Sequence, residues 1–299
     1  MSSVLPVKER VTTESQPHIA WKFALGGFAA MYVPLYWAAA EGIWQTDDHG
    51  HGPIILAVLI WLFWGLRNQI DATFVKPSPL LGCSIFGAGL IAYFAGRVLG
   101  IQVLEFGSQP LVVTGALILL KGPGVLRVAW FPLLYFLFMI PLPSILVDAI
   151  TGSLKGLIAN IVESVLYVVG YPIARSGVIL SIGPYQLQVA DACSGLHSMF
   201  SLTALGTLFM YMMGPKPRIH SMVMLMAILP IAFIANIVRV ITLVLVTYYL
   251  GDEAGQGFLH GAAGMVLMLV ALMFFFLLDK VLDKIPASTK LIEQSALAK

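Results

Sequence analysis

The chain has 299 residues, 59% of them hydrophobic and 11% charged, and its mean hydropathy is +0.90. A soluble domain carries roughly 25% charged residues, so this composition excludes one and describes an integral membrane protein. The formal net charge of +2 says nothing about nucleic acid by itself, since what matters is where the charges sit; no nucleic-acid partner is expected.

Residues 1–20 are polar and read as a tail. Eight apolar stretches follow, near 21–40, 53–66, 79–97, 108–120, 127–143, 194–213, 221–250 and 258–279, each of a length to be tested against the bilayer core. The ten-residue alternating segments of a membrane β-barrel are absent. The expected fold is therefore an all-α polytopic membrane protein of about eight transmembrane helices. It forms one domain over 21–284, with a second tail at 285–299. The first stretch reads as an uncleaved signal anchor. The fourth is the weakest, because it is short and lies close to Gly107 and Pro110. The seventh contains Pro230, which membrane helices tolerate.

Between the fifth and sixth stretches lies a region near 144–192 that is not expected to span. Its first part, "SILVDAITGSLKGLIANIVESVLYVVGYPIA", carries Lys155 and Glu163 at roughly helical spacing and suits an amphipathic helix along the membrane surface. A re-entrant segment is the alternative. In "SGVILSIGPYQLQVA", Tyr185, Leu187 and Val189 alternate with Gln186 and Gln188 after a Gly183-Pro184 turn, the pattern of a small β-hairpin.

With the N-terminus placed in the cytoplasm, thirteen of the 17 basic residues fall on the inner side. Arg97, Lys155, Arg175 and Arg239 are left for the outer side or the membrane. That asymmetry sets the expected orientation: both termini cytoplasmic, with membrane lipids as surroundings.

Few residues in such a chain can do chemistry. Cys193, in "VADACSGLHSMFSL", starts the sixth stretch on the outer side, and Cys83 lies near the inner end of the third. A membrane apart, they cannot form a disulfide. Cys83 is expected to be plain packing. Cys193 is an unpaired thiol at the start of a helix, where backbone N–H groups favour thiolate. A small buried hydrophobe is the bland alternative. Arg239 sits inside "IAFIANIVRVITLVLV", roughly 16 Å from the helix end, with Asn236 on the same face. An intramembrane arginine is costly and defaults to a functional reading; a structural salt bridge to an acid such as Asp191 is the alternative. His260 begins the eighth stretch on the same side. A nucleophile, a fixed cation and a base of near-neutral pKa are the components of acyl transfer. His197, one helical turn after Cys193, is a rival base. His49 and His51 stand beside Asp47 and Asp48, but no third ligand at suitable spacing is visible. No metal and no cofactor are expected.

At these residues the chain resembles the exosortases, over about residues 20–280. "HGHGPIILAVLIWLFW" is similar to the family's early His-Gly segment, with His51 or His49 in the histidine position. "FPLLYFLFMIPLP" resembles its Phe-Pro…Pro-x-Pro span, and "ACSG", "NIVR" and "LHG" follow in order. "CSGLHSMFSL" and "GQGFLHG" look most like the B-type branch. The resemblance implies catalytic Cys193, Arg239 and His260, with Asp191, Ser194, His197, Asn236, His51 and Arg175 as supporting or substrate-binding residues. It implies a membrane cysteine peptidase or transpeptidase. Its substrates would be exported proteins ending in a short motif such as Pro-Glu-Pro, a membrane helix and basic residues. The acceptor of the cleaved chain is unspecified, and the site would face the periplasm. One departure stands out: many members carry arginine where this chain has His197. Two other classes remain open: a transporter or flippase for lipid-linked glycans, and a non-catalytic partner of an exopolysaccharide synthase.

Overall fold

In the computed structural model, residues 17–46, 50–73, 78–141, 144–188 and 195–284 are described. Within them, only the backbone is described at 17–20, 144–153, 195–198 and 258–261. Among the described residues the regular structure is helical apart from one small sheet. Helices α1 (Pro17–Glu41), α2 (Gly52–Ala72), α3 (Pro79–Leu99) and α4 (Gln102–Lys121) form the first half. Then come α5 (Leu126–Tyr135), α6 (Ser144–Val169), strands β1 (Ile173–Ser176), β2 (Ile179–Ile182) and β3 (Tyr185–Gln188), and helices α7 (Gly195–Met212), α8 (Arg218–Leu250), α9 (Asp252–Gly261) and α10 (Ala263–Asp283).

Six of these, among the described residues, are long and apolar enough to cross a bilayer: α1 from Trp21, α2, α3, α4, α8 and α10. Two expected spans are shorter apolar helices, Pro123–Met139 and Met199–Met212. The first of them is broken. It opens with a 3-10 turn at Pro123–Val125 and closes with another at Phe136–Met139, just before Pro141. The weak fourth stretch is a full helix of 20 residues despite Pro110, and α8 runs unbroken for 33 residues through Pro230. In an apolar medium the backbone has no water to bond with, so a single proline does not release the helix.

Apolar side chains also face outward. Trp64, Ile91 and Phe94 are about two-thirds exposed or more, which in a multi-pass membrane protein is the lipid-facing surface. Cys83 belongs to that surface: it is exposed on α3, not packed. The opposite face of α3 carries Gly82, Gly89 and Gly96 at heptad spacing, all buried. A Cβ there would lie 2.7 Å from Leu119, 2.8 Å from Val112 and 2.6 Å from Glu105. The stripe lets α4 approach closely, and van der Waals contact is what holds membrane helices together. Buried polar side chains within this half pair with one another, although Gln109 Nε2 makes no hydrogen bond among the described residues. Tyr32 and Ser108 share a 2.7 Å hydrogen bond, and the Tyr36 hydroxyl donates to Gln109 Oε1 at 3.0 Å.

The second half is organised around α8, which packs against α6, α7, α9 and α10. Ile158, Ala159, Val162 and Leu166 of α6 share one buried cluster with Leu180, Ile182 and Leu187 of the sheet and with Val240, Leu243 and Val244 of α8. Thus α6 is amphipathic as expected, and its buried apolar residues pack on the sheet and the last third of α8. The sheet is a three-stranded antiparallel meander in the order β1-β2-β3. Expectation covered its second hairpin, where Leu187 is buried between exposed Gln186 and Gln188. The first strand, "IARS", was missed because only Ile173 of its four residues is buried, so it shows no alternation. Its partner register, Ser176↔Ile179 and Ile173↔Ile182, leaves a two-residue turn with Gly177 at φ 64°, the backbone that tight hairpins require.

Candidate active site

Arg239 and Asn236 lie where the α8 periodicity puts them, on the buried stripe of the helix with Ala232, Ala235 and Leu243. Arg239 is 8% exposed and Asn236 1%. Neither lacks a partner. Burying a guanidinium in a membrane helix is costly unless the fold uses the charge, and the α8 segment around it offers apolar neighbours almost throughout.

Two further elements bring candidate residues to α8. Helix α7 packs on it and begins at Gly195, two residues beyond Cys193. Helix α9 follows a one-residue turn at Gly251, where φ is 91°, and doubles back against α8. They touch closely at Gly255, where any Cβ would meet the Thr247 side chain. From Gly255, His260 lies five residues on, about 7.5 Å along its helix. From Thr247, Arg239 lies eight residues back along α8, about 12 Å. Counted along ideal helices, these two rises differ by less than one turn.

Asp191, Cys193 and Ser194 lie outside the described residues, and for His197 and His260 the backbone alone is described. The sheet precedes them in the chain. β3 ends at Gln188, and the Gly183 turn of the sheet sits against Tyr248 near the end of α8. Tyr171, just before β1, shares a 2.9 Å hydrogen bond with Tyr249. That bond, with the nearby tyrosine hydroxyls, holds the Tyr171 phenol above its ordinary pKa.

Arg175 is on β1, and its guanidinium is engaged. Nε donates to Glu163 Oε2 at 3.0 Å and Nη1 to the Gly177 carbonyl at 3.1 Å. It fastens the first hairpin to α6. Arg97 is another of the basic residues left for the outer side or the membrane in the sequence reading. It stands 3.6 Å from Glu105 beside a cavity of about 230 Å³ between α1, α3 and α4, floored by Leu35, Ala39 and Phe106. His51 precedes α2 as its N-cap, half-buried and with a partner. Gly52 after it presses on the Trp44 ring with no room for a Cβ, and Trp44 in turn stacks on Tyr36. That contact gives the His-Gly pair a physical reason: the glycine admits the indole, and Pro53 starts the helix.

One charged cluster escaped the sequence reading. His220, Asp279 and Asp283 converge with Lys216 where the α7–α8 connection meets the end of α10. Nothing in local sequence joins them, because His220 and Asp279 stand 59 residues apart. The only hint was a histidine and two aspartates inside otherwise apolar helices.

Residues 43–277 match the family described as transmembrane exosortase. No curated protein and no solved structure matches the chain.

Proposed function

The chain belongs to the transmembrane exosortase family, and on that premise we propose that it is a membrane-embedded cysteine transpeptidase that cleaves C-terminal sorting signals of exported proteins. The observation that carries the reading is the convergence on α8. Buried Arg239 lies on the helix against which both the Cys193-proximal helix and the His260-bearing helix pack.

In the proposed reaction, His260 takes the proton of the Cys193 thiol, and Sγ attacks the scissile carbonyl carbon. Negative charge then gathers on the carbonyl oxygen. The Arg239 guanidinium, pre-placed in a medium of low dielectric, stabilises it there more than it stabilises the neutral carbonyl. Asn236 adds a second donor on the same face of the helix. As the tetrahedral intermediate collapses, the C–N bond breaks and the His260 imidazolium protonates the departing amine. The thioester on Cys193 is released when an acceptor nucleophile attacks it, with His260 again taking a proton. The membrane helix of the signal would lie against the apolar faces of the bundle, which places its motif at the outer boundary. There Arg175 and Arg97 supply positive charge for an acidic motif residue. Both already hold a carboxylate, so each would exchange one partner for another. His197 in the first turn of α7 and Asp191 and Ser194 beside Cys193 complete the proposed surroundings, with His51 at the N-cap of α2.

The inner-membrane location with both termini cytoplasmic and a periplasmic site is part of this proposal. It draws on the inward bias of basic residues. The test is co-expression of an exported reporter carrying a motif, a membrane helix and a basic tail with the wild type and with Cys193→Ala. The reading expects processing by the wild type and none by the variant. Equal processing by both would leave a transporter or a passive assembly partner as the better description.

A further inference from the structure

The cluster at the far end of α8 lies about 28 Å along that helix from Arg239 and takes no part in the proposed chemistry. His220, in the first turn of α8, is 2% exposed. Asp279 and Asp283 are one turn apart on α10 and so share a face. Donor atoms of the three residues all lie within 4.8 Å of one another.

The imidazole is the informative group. His220 Nε2 is 2.8 Å from Asp279 Oδ1. Its other nitrogen, Nδ1, is buried, makes no hydrogen bond, and stands 3.6 Å from Asp283 Oδ1. A neutral imidazole has one N–H. If Nε2 donates to Asp279, the Nδ1 lone pair faces a carboxylate. Two acceptors pointed at each other in a dry setting are unfavourable unless a cation stands with them.

A cation is already close. Lys216 Nζ lies 2.8 Å from both oxygens of Asp283 and 3.5 Å from Asp279 Oδ1. It comes from the short connection between α7 and α8, and its side chain is 21% exposed, so it can swing to solvent without moving a helix. Beside it is a cavity of about 20 Å³ walled by Lys216, His220, Asp279 and Met224, room for about one water or one ion.

We propose that His220, Asp279 and Asp283 form a site for one divalent transition-metal ion of the zinc class, with the Lys216 ammonium as the resident competitor for the same carboxylates. One imidazole nitrogen with two carboxylates suits zinc better than magnesium or calcium, which prefer all-oxygen sets. The bound ion ties the start of α8 to the end of α10 and leaves the α7–α8 connection free. This role is independent of the cysteine chemistry.

The test uses the full chain in nanodiscs, stripped with chelator and titrated with zinc or magnesium by calorimetry. The expected result is one zinc per chain, no comparable magnesium binding, and a higher thermal midpoint with zinc. Lys216→Met, which removes the competitor, tightens zinc by about tenfold or more. Asp283→Asn, at a half-exposed position, and His220→Gln lose the stoichiometric zinc. Absence of zinc binding in both the wild type and Lys216→Met would overturn the site. So would zinc binding that survives Asp283→Asn and His220→Gln, or that weakens in Lys216→Met.

Discussion

Arg239 is the residue on which the chemical reading turns. With only 8% of it exposed, its charge acts at low dielectric. Arg239→Ala is expected to lower the turnover of reporter cleavage by about 10²–10³-fold, the range seen when an oxyanion donor is removed. Arg239→Lys should recover only part of it, since a point charge replaces a planar fork. A uniform rise in KM with unchanged kcat would instead assign Arg239 to substrate binding. The two histidines separate in the same assay. His260→Ala is expected to cost about 10²–10⁴-fold. His197→Ala should stay within about tenfold of wild type, a smaller loss than removal of a general base brings. The reverse pattern would make His197 the base. Residue identity was readable in the sequence because so few polar groups interrupt the apolar stretches. Partnership was not. That Arg175 holds Glu163, or that His220 meets Asp279, depends on tertiary contacts between segments whose local sequences say nothing of each other.

At the scale of elements, helix existence was legible from hydropathy alone, while helix length and breakage were not. Pro110 and Pro230 look alike in sequence to Pro132 and Pro141, yet the first two sit inside long helices and the last follows a helix that has tightened into a 3-10 turn. The glycine stripe of α3 is the clearest case of sequence fixing packing. Gly89→Val puts carbon atoms where Val112 of α4 already stands. It is expected to lower stability by about 1–3 kcal/mol, as overpacking does. Thermal unfolding in detergent would read it, and an unchanged midpoint would contradict the close α3–α4 contact. The sheet presents the opposite case. "IARS" carries no strand signal, and it pairs because β2 offers an edge and Arg175 ties it to α6. Arg175→Gln should therefore loosen the hairpin, visible as faster backbone amide exchange in β1 and β2 with α8 unaffected.

For the whole molecule, the central consequence is sidedness. The inward bias of basic residues sets the expectation that Cys193 lies outside and Cys83 inside. The contacts between helix ends agree with that alternation: Lys121 at the end of α4 meets Asp71 at the end of α2, and Lys216 meets the end of α10. An impermeant maleimide added to intact spheroplasts is expected to label Cys193 in a Cys83→Ser chain. It should leave Cys83 unlabelled in a Cys193→Ser chain until the membrane is opened. Labelling of Cys83 from outside would invert the orientation. The path of α8 through the bundle explains why one helix can serve both ends. It carries the candidate oxyanion donor toward one side and His220 at the other, with apolar packing between them.

The acyl-enzyme itself is the most direct measurement. Wild-type protein mixed with a reporter signal, quenched in acid and digested, should yield a peptide spanning Cys193 that carries the mass of the cleaved chain and loses it in hydroxylamine. Cys193→Ala should show neither adduct nor cleavage. Cleavage of the reporter by Cys193→Ala, or an adduct on any other residue, would contradict the account.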